Sequence, residues 1–541
     1  MFDSYKDTLL HSLNKYVDLQ TESELLSSIF KLKKINTKLY TNLEIIEPVE
    51  QSVFYKLNKT TTPLGKYYLK QELTHFKYKI EELNAYRTDL DVYFKHIDEN
   101  KDYLINLFNS IKKNIETCIK LYSYSSKKNI FSEIIDDVFF SDYFSNLNNY
   151  PSILTGYTLL NVYSPIYNVT YPVLVMLIPV IFAPLFNHIP FINRLFKLMI
   201  PRINLFSIRT TMELSKVIFS ILLYAFNVYN SIKTRVKTEL VLNYMGKSLL
   251  QLKDMFEITK KIGLTLNITV NDSPLINAIL KFDSTESSGS KMILFKHIIN
   301  SKNDIAHYFK ILGKVDYLLC LYKLYKRNDF SIVHFENYSK PLIFMRSFKH
   351  PFFLDDKTHV KNTLCTNICN TSQNAFITGP NAGGKSTLIK AIMTNVLLAQ
   401  TLGIALCEAM FITPFYFLES HMNNTDSKGS VSLFENEIKS IRQFIDIASK
   451  TNRFCFIIID ELCSGTNSYE SEIAAQRLTK HLASHANVVS IITTHIRNIT
   501  MDTFDFYKMK IKNKNKYTFK LVPGSSTDYL GLTILDNYKF S

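Results

Sequence analysis

Along residues 1–140 apolar positions recur three and four apart among charges, as in Asp89–Phe108 (DLDVYFKHIDENKDYLINLF), and this spacing predicts helices. One turn-like break interrupts them, at Thr60–Gly65 (TTTPLG). The middle of the chain has another texture. From Tyr143 to Asn193 there are 51 residues without Lys, Arg, Asp or Glu, and Pro172–Phe186 within them is a continuous apolar run of 15. A second uncharged run, Val217–Ile232, has 16 residues. A membrane-spanning helix needs about 20 apolar residues. Both runs are shorter, and the first contains Pro172, Pro179 and Pro184. A membrane hairpin, an interfacial segment and a buried core all fit this pattern. Arg194, Lys197, Arg202 and Arg209 lie between the runs and Lys233, Arg235 and Lys237 follow them, as snorkelling flanks would. Residues 233–330 return to helical periodicity, with Ser284–Ser290 (STESSGS) as a polar loop tip. From about residue 340 short apolar runs alternate with helical ones, an α/β pattern.

Composition narrows the class. The chain has 541 residues, enough for three or four domains. It is 46% hydrophobic and 21% charged, which excludes a mainly disordered or fibrous protein. Gly (14) and Pro (15) are scarce, in keeping with long helices. The net charge of +15 suits a polyanion such as nucleic acid or an acidic membrane surface, although translation of an AT-rich genome would also inflate Lys. The seven cysteines form an odd, scattered set without a disulfide framework, which points to a reducing, intracellular compartment. Cys365-x3-Cys369 has no second pair at zinc spacing and reads as structural. The first residues, MFDSYKDTLLHSLNKY, lack the continuous apolar stretch of a secretory signal.

The densest chemistry lies at Ala375–Thr387 (AFITGPNAGGKST). An apolar strand enters Gly379-Pro380-Asn381-Ala382-Gly383-Gly384-Lys385-Ser386, and an apolar helix follows. This is G-x-x-x-x-G-K-S in strand–loop–helix context. Small residues let backbone N–H groups wrap a β-phosphate, and the helix N-terminus adds partial positive charge. Lys385 can reach the β- and γ-oxygens, and Ser386 can ligate Mg²⁺. Phe454–Glu461 (FCFIIIDE) reads as a buried parallel strand ending in two carboxylates. There Asp460 can hold Mg²⁺ and Glu461 can act as general base on water. A third strand ends at Thr493-Thr494-His495, where an imidazole can sense a γ-phosphate or orient water.

In this order the residues resemble the MutS family of DNA mismatch-repair ATPases. Thr378–Thr387 is similar to T-G-P-N-M-G-G-K-S-T, with Ala382 in place of Met. Asp460–Ser468 resembles D-E-(I/L)-G-R-G-T-S-T, with Cys463 and Ser464 replacing Gly-Arg. Ser432–Glu437 resembles S-T-F-M-x-E, with Leu433 replacing Thr. The resemblance implies that Ser432 reaches the γ-phosphate of a facing subunit. His350-Pro351 and Val360-Lys361-Asn362 are similar to elements near the adenine, so Asn362 joins the ATP-binding set. Thr494-His495 and Tyr517–Leu532 resemble the last sensor strand and the family's C-terminal motif. Upstream, Leu57–Leu69 resembles the core motif L-D-x-T-x-T-x-M-G-x-R-x-L, and Leu312–Leu318 is similar to L-x-x-L-D-x-L.

The resemblance implies an α plus α/β chain: a helical MutS-like core and lever unit, then a P-loop, ABC-like ATPase with a mainly parallel sheet. The expected segments are 1–142 (core), 143–232 (charge-poor), 233–335 (lever return) and 336–541 (ATPase). ATP and Mg²⁺ are the expected cofactors. A homodimer, or a heterodimer with another MutS-like chain, and double-stranded DNA are the expected partners. The family's mismatch reader precedes the core and carries a Phe-x-Glu wedge. With a core-like motif starting at Leu57, neither that reader nor a C-terminal dimer element is expected. The alternative expectation is a membrane-associated ATPase or adaptor derived from MutS, without mismatch recognition. An ABC or SMC-type rival needs an L-S-G-G signature, which the chain lacks.

Overall fold

The computed structural model describes residues 2–14, 19–30, 37–123, 130–186, 211–327, 329–367, 371–422, 433–463, 468–496, 501–512 and 516–526. Ser432, Cys369, Ser464 and the end of the C-terminal motif lie outside the described residues. The chain divides into two compact units, Met1–Leu25 with Tyr103–Phe309 and Leu26–Asp102 with Lys310–Ser541.

In chain order the helices are α1 (Phe2–Asn14), α2 (Leu19–Phe30), α3 (Thr37–Asn42), α4 (Val53–Leu57), α5 (Pro63–Thr74), α6 (Ile80–Glu99), α7 (Lys101–Ser123), α8 (Ile130–Asp136), α9 (Pro151–Phe186), α10 (Thr211–Thr265), α11 (Pro274–Lys281), α12 (Ser288–Asn300), α13 (Lys302–Tyr325), α14 (Lys385–Leu402), α15 (Leu433–Ser449) and α16 (Ser468–Ala483).

The first unit is helical, built on α9 and α10 packed along each other with α12 against both. Asn148 prepares the start of α9: its side chain donates to Phe140 O at 2.8 Å and accepts from Phe140 N at 2.9 Å. Pro151 then opens the helix, where a missing N–H costs nothing. The Ser273 and Ser287 hydroxyls cap α11 and α12 by accepting from Ile276 N and Ser290 N. Gly289 permits α12 to meet α9, because a Cβ there would strike Pro151 O. In α10 the residues Val241, Met245, Leu249, Leu252 and Phe256 fall three and four apart and are fully buried. The N-terminal part of that helix differs: Ile218, Phe219, Ile221, Leu222, Leu223 and Phe226 are exposed.

No helix among the described residues is long and apolar enough to cross a membrane. Among the described residues the membrane-hairpin alternative is therefore not supported. In α10 the 16 uncharged residues Val217–Ile232 rise about 24 Å at ~1.5 Å each, short of a ~30 Å hydrocarbon layer. Lys216 and Lys233 bound them within the same helix.

Among the described residues the second unit combines helices with three sheets. A six-stranded sheet has the order β12-β11-β5-β10-β9-β8, from β5 (Asn374–Thr378), β8 (Phe417–His421), β9 (Cys455–Ile459), β10 (Val488–Thr493), β11 (Phe504–Lys512) and β12 (Lys516–Pro523). Every pairing is parallel except β11 with β12. β5, β9 and β10 are buried at every residue, which is why they read as unbroken apolar runs. A four-stranded sheet has the order β2-β7-β3-β4, from β2 (His334–Phe335), β3 (Ile343–Phe348), β4 (Asn362–Thr366) and β7 (Ala409–Ile412). β1 (Ser331–Ile332) and β6 (Ile404–Ala405) form a separate pair.

Buried polar contacts hold the helices of this unit in place. The Asp316 carboxylate on α13 accepts from Thr61 N (3.0 Å), Thr62 N (2.8 Å) and the Thr62 hydroxyl (2.7 Å). Thr62 Oγ1 accepts from Gly65 N at 3.1 Å and so caps α5. After α5, Lys77 Nζ donates to Thr401 O at 2.9 Å. The buried Gln400 amide donates to Lys77 O (2.7 Å) and Phe415 O (2.9 Å) and accepts from Phe415 N (3.0 Å). The chain after α5 is thereby fastened to the end of α14, the helix that begins at Lys385.

Candidate active site

Three loops leave the same edge of the parallel sheet. Ile492 lies beside both Phe376 and Ile459, so β5, β10 and β9 end in register. Open α/β sheets bind ligands outside the carboxyl ends of their strands. The loops there carry Gly379–Gly384, Asp460–Cys463 and Thr494–His495.

The glycines of the first loop are required by contacts. Gly379 has φ +151°, and a Cβ on it would sit 3.2 Å from Met509 Cβ. Gly384, with φ +88°, would bring a Cβ to 3.0 Å from Phe519. Ala382 adopts φ 60°, a left-handed conformation that favours glycine. Tyr517 donates its hydroxyl to Asn381 O at 3.0 Å and braces the loop from β12. Lys385 Nζ donates to Gly379 O and Pro380 O, each at 3.1 Å. Burial pulls its ammonium below the usual range, opposed by Glu461 and Asp460. Ser386 and Thr387 follow in the first turn of α14, where backbone N–H groups are unpaired by the helix itself.

Asp460 and Glu461 end β9 under tight backbone control. Thr493 Oγ1 donates to Asp460 Oδ1 at 2.7 Å and accepts from Glu461 N at 2.7 Å. Asp460 N donates to His421 O (2.9 Å) and Leu462 N to Thr493 O (3.1 Å). Glu461 is left-handed, with φ 57°, and so is Cys463, with φ 61°. His495 Nε2 stands 3.5 Å from Glu461 Oε1. Burial and Lys385 lower the His495 pKa from 6.5, with Glu461 and Asp460 acting in the opposite direction.

Beside Gly384 and Thr387 lies a cavity of about 210 Å³, walled by Phe348, Lys349, His350, Phe353, His359, Asn362, Leu388, Met509 and Phe519 among others. Its dimensions and apolar walls with a few polar groups suit a flat heterocycle. Phe353 and His359 stack at 4.4 Å with planes 10° apart. Asn362 is buried and structural here: it donates to Phe519 O (3.1 Å) and accepts from Leu521 N (2.8 Å), tying β4 to β12. His350 Nδ1 accepts from Phe352 N at 3.1 Å, so the proton of the neutral ring is on Nε2. Burial lowers the His350 pKa to about 3.

The structure thus brings Lys385, Ser386, Asp460, Glu461 and His495 to one sheet edge, with Asn362 lining the neighbouring cavity. Ser432 lies outside the described residues. Sequence reasoning did not single out Thr493, which touches both acidic residues, or Phe519 and Met509, which close the loop from β12 and β11. Thr493 had a signal, as a hydroxyl at the end of a mainly apolar strand.

Residues 375–535 match the family model for MutS domain V. This part of the chain belongs to the MutS family. Among curated relatives, the DNA mismatch repair protein msh-2 of Neurospora crassa is 31% identical over 147 residues, 27% of this chain and 15% of that protein. The DNA mismatch repair protein MSH2 of Saccharomyces cerevisiae is 28% identical over 187 residues, 31% of this chain and 19% of that protein. Endonuclease MutS2 of Streptococcus mutans is 27% identical over 187 residues, 34% of this chain and 23% of that protein. The matched stretch thus spans less than a quarter of each of these relatives. The MutS domain contains every site residue named above except Asn362 and the cavity residues before β5.

Proposed function

We propose that the chain is an Mg²⁺-dependent ATP hydrolase of the MutS type, whose nucleotide cycle drives a conformational change in a DNA transaction. The observation that supports this most is the convergence of Lys385, Asp460, Glu461 and His495 beside the Gly379–Gly384 loop at the carboxyl edge of the sheet. The glycine loop wraps the β-phosphate with backbone N–H groups. Lys385 exchanges its two carbonyl partners for β- and γ-oxygens when nucleotide binds. Purine stacking beside Phe353 and His359 occupies the cavity.

The donor set fits Mg²⁺. One carboxylate, Asp460, and one hydroxyl, Ser386, are hard ligands of the kind that ion takes together with phosphate oxygens and water. When bound, Mg²⁺ would neutralise phosphate charge. Thr493 fixes one Asp460 oxygen toward the sheet. Glu461 takes the proton of the attacking water, and neutral His495 orients that water or senses the γ-phosphate. Ser432 completes the site from a second copy or a related chain.

The DNA reading is supported by the names of two of those relatives, which are DNA mismatch repair proteins, and by the net charge of +15. The test is ATP hydrolysis with and without duplex DNA, matched and mismatched. Stimulation by duplex DNA is expected. Equal rates with and without any DNA would remove DNA from the proposal and leave the hydrolase.

A further inference from the structure

Four successive backbone N–H groups at the end of β9 are each committed to a partner. Asp460 N donates to His421 O, Glu461 N to Thr493 Oγ1, Leu462 N to Thr493 O, and Cys463 N to Glu437 Oε1 at 2.9 Å. The first three partners belong to strands of the sheet or their ends. The fourth is a carboxylate on helix α15, and Glu437 is only 2% exposed. Cys463 is itself fully buried, and Ser471 Oγ on α16 donates to its carbonyl at 2.7 Å. One peptide segment is therefore gripped from two helices.

The grip coincides with backbone strain. Glu461 and Cys463 both hold left-handed conformations that cost a non-glycine residue energy and persist only where surroundings enforce them. Packing does not account for the glutamate. The neighbouring core consists of Ile441, Phe444, Leu462, Cys463 and other apolar side chains, and an apolar residue of similar volume would fill the space without burying a carboxylate. Burial raises the Glu437 pKa, against the effect of the Cys463 N–H bond.

We propose that Glu437 is a positioning residue for Glu461: by holding the Cys463 N–H it locks the left-handed turn that aims the Glu461 carboxylate at the γ-phosphate site. This rests on the reading of Glu461 as general base. Glu437 also lies five positions after Ser432 (437 − 432). The segment proposed to act on the facing subunit's nucleotide is thus joined through α15 to the base of its own subunit.

The experiment is single-turnover hydrolysis alongside ATP affinity in the full chain. Glu437→Ala should lower kcat on the order of 10- to 100-fold, as a displaced catalytic group does, with ATP affinity within about twofold. Glu437→Gln keeps an acceptor oxygen and should restore most of that loss. Ser471→Ala removes the opposite side of the grip and should lower kcat in the same selective way, which serves if Glu437→Ala fails to fold. In the Glu461→Gln background Glu437→Ala should add no further loss. Wild-type kcat in Glu437→Ala, a parallel loss of kcat and ATP affinity, or an additive loss in the double variant would each overturn the proposal. A wild-type rate in Glu461→Gln alone would instead remove the underlying reading of Glu461.

Discussion

His495 Nε2 and Glu461 Oε1 face each other across 3.5 Å at the open edge of the sheet, each side chain about two-fifths exposed. The carboxylate and imidazole are close enough to share one water molecule, and both remain reachable from solvent. Glu461→Gln preserves the size of the side chain and removes the base. It should bind ATP with near-normal affinity and hydrolyse it about 10²–10⁴-fold more slowly. Single-turnover rates with parallel nucleotide titrations measure both, and a wild-type rate would take Glu461 out of the mechanism.

The lowered His495 pKa makes a prediction with a definite sign. Burial and Lys385 favour the neutral ring, so the midpoint of its protonation lies below the ordinary value of 6.5. The kcat should therefore fall on the acidic side with a midpoint below pH 6.5. His495→Gln cannot titrate and should lose that acidic limb while being slower throughout. A wild-type limb centred at or above 6.5, and absent from the variant, would contradict a neutral His495.

Assembly can be tested by mixing two inactive chains. Lys385→Ala should abolish turnover and weaken ATP more than ADP, because the charge lies where the γ-phosphate develops its own. Ser432→Ala should also be inactive if that hydroxyl acts across an interface. A mixed dimer then holds one intact composite site and one doubly broken site, and activity should recover toward half per site at most. Confirmed mixing without recovery would place Ser432 in its own chain's site or require a different dimer geometry.

The sequence made the ATP-binding half legible because its elements are local. β5, the glycine loop and α14 are contiguous, and three buried parallel strands can be read as apolar runs that end in chemistry. What joins them was not legible. The grip on Asp460 and Glu461 comes from Thr493, more than 30 residues away, and the loop's roof comes from Met509 and Phe519. The charge-poor middle was ambiguous for another reason. Hydropathy alone does not say which side of a helix packs, and in α10 the buried register at Val241–Phe256 gives way to an exposed apolar one at Ile218–Phe226. The motifs at Leu57–Leu69 and Leu312–Leu318 were each visible, but their meeting was not. Asp316 and Thr62 are 254 residues apart in sequence.

That meeting yields the last prediction. The Asp316 carboxylate is 1% exposed and satisfies the backbone N–H groups of Thr61 and Thr62 together with the Thr62 hydroxyl. Asp316→Ala would leave those donors buried without an acceptor and should destabilise the second unit by about 1.5–3 kcal/mol. Asp316→Asn keeps one acceptor oxygen and should cost less. Gly65 supplies the control. A Cβ there would collide with the Asp316 carboxyl group itself, so Gly65→Ala should be strongly destabilising in the wild type. Truncating Asp316 removes the obstacle. The double variant Gly65→Ala/Asp316→Ala should therefore lose less stability than the sum of the two single losses, a coupling readable in denaturant midpoints. Strict additivity would mean that the carboxylate and the glycine are not in contact, and that the α5–α13 junction is held by something other than Asp316.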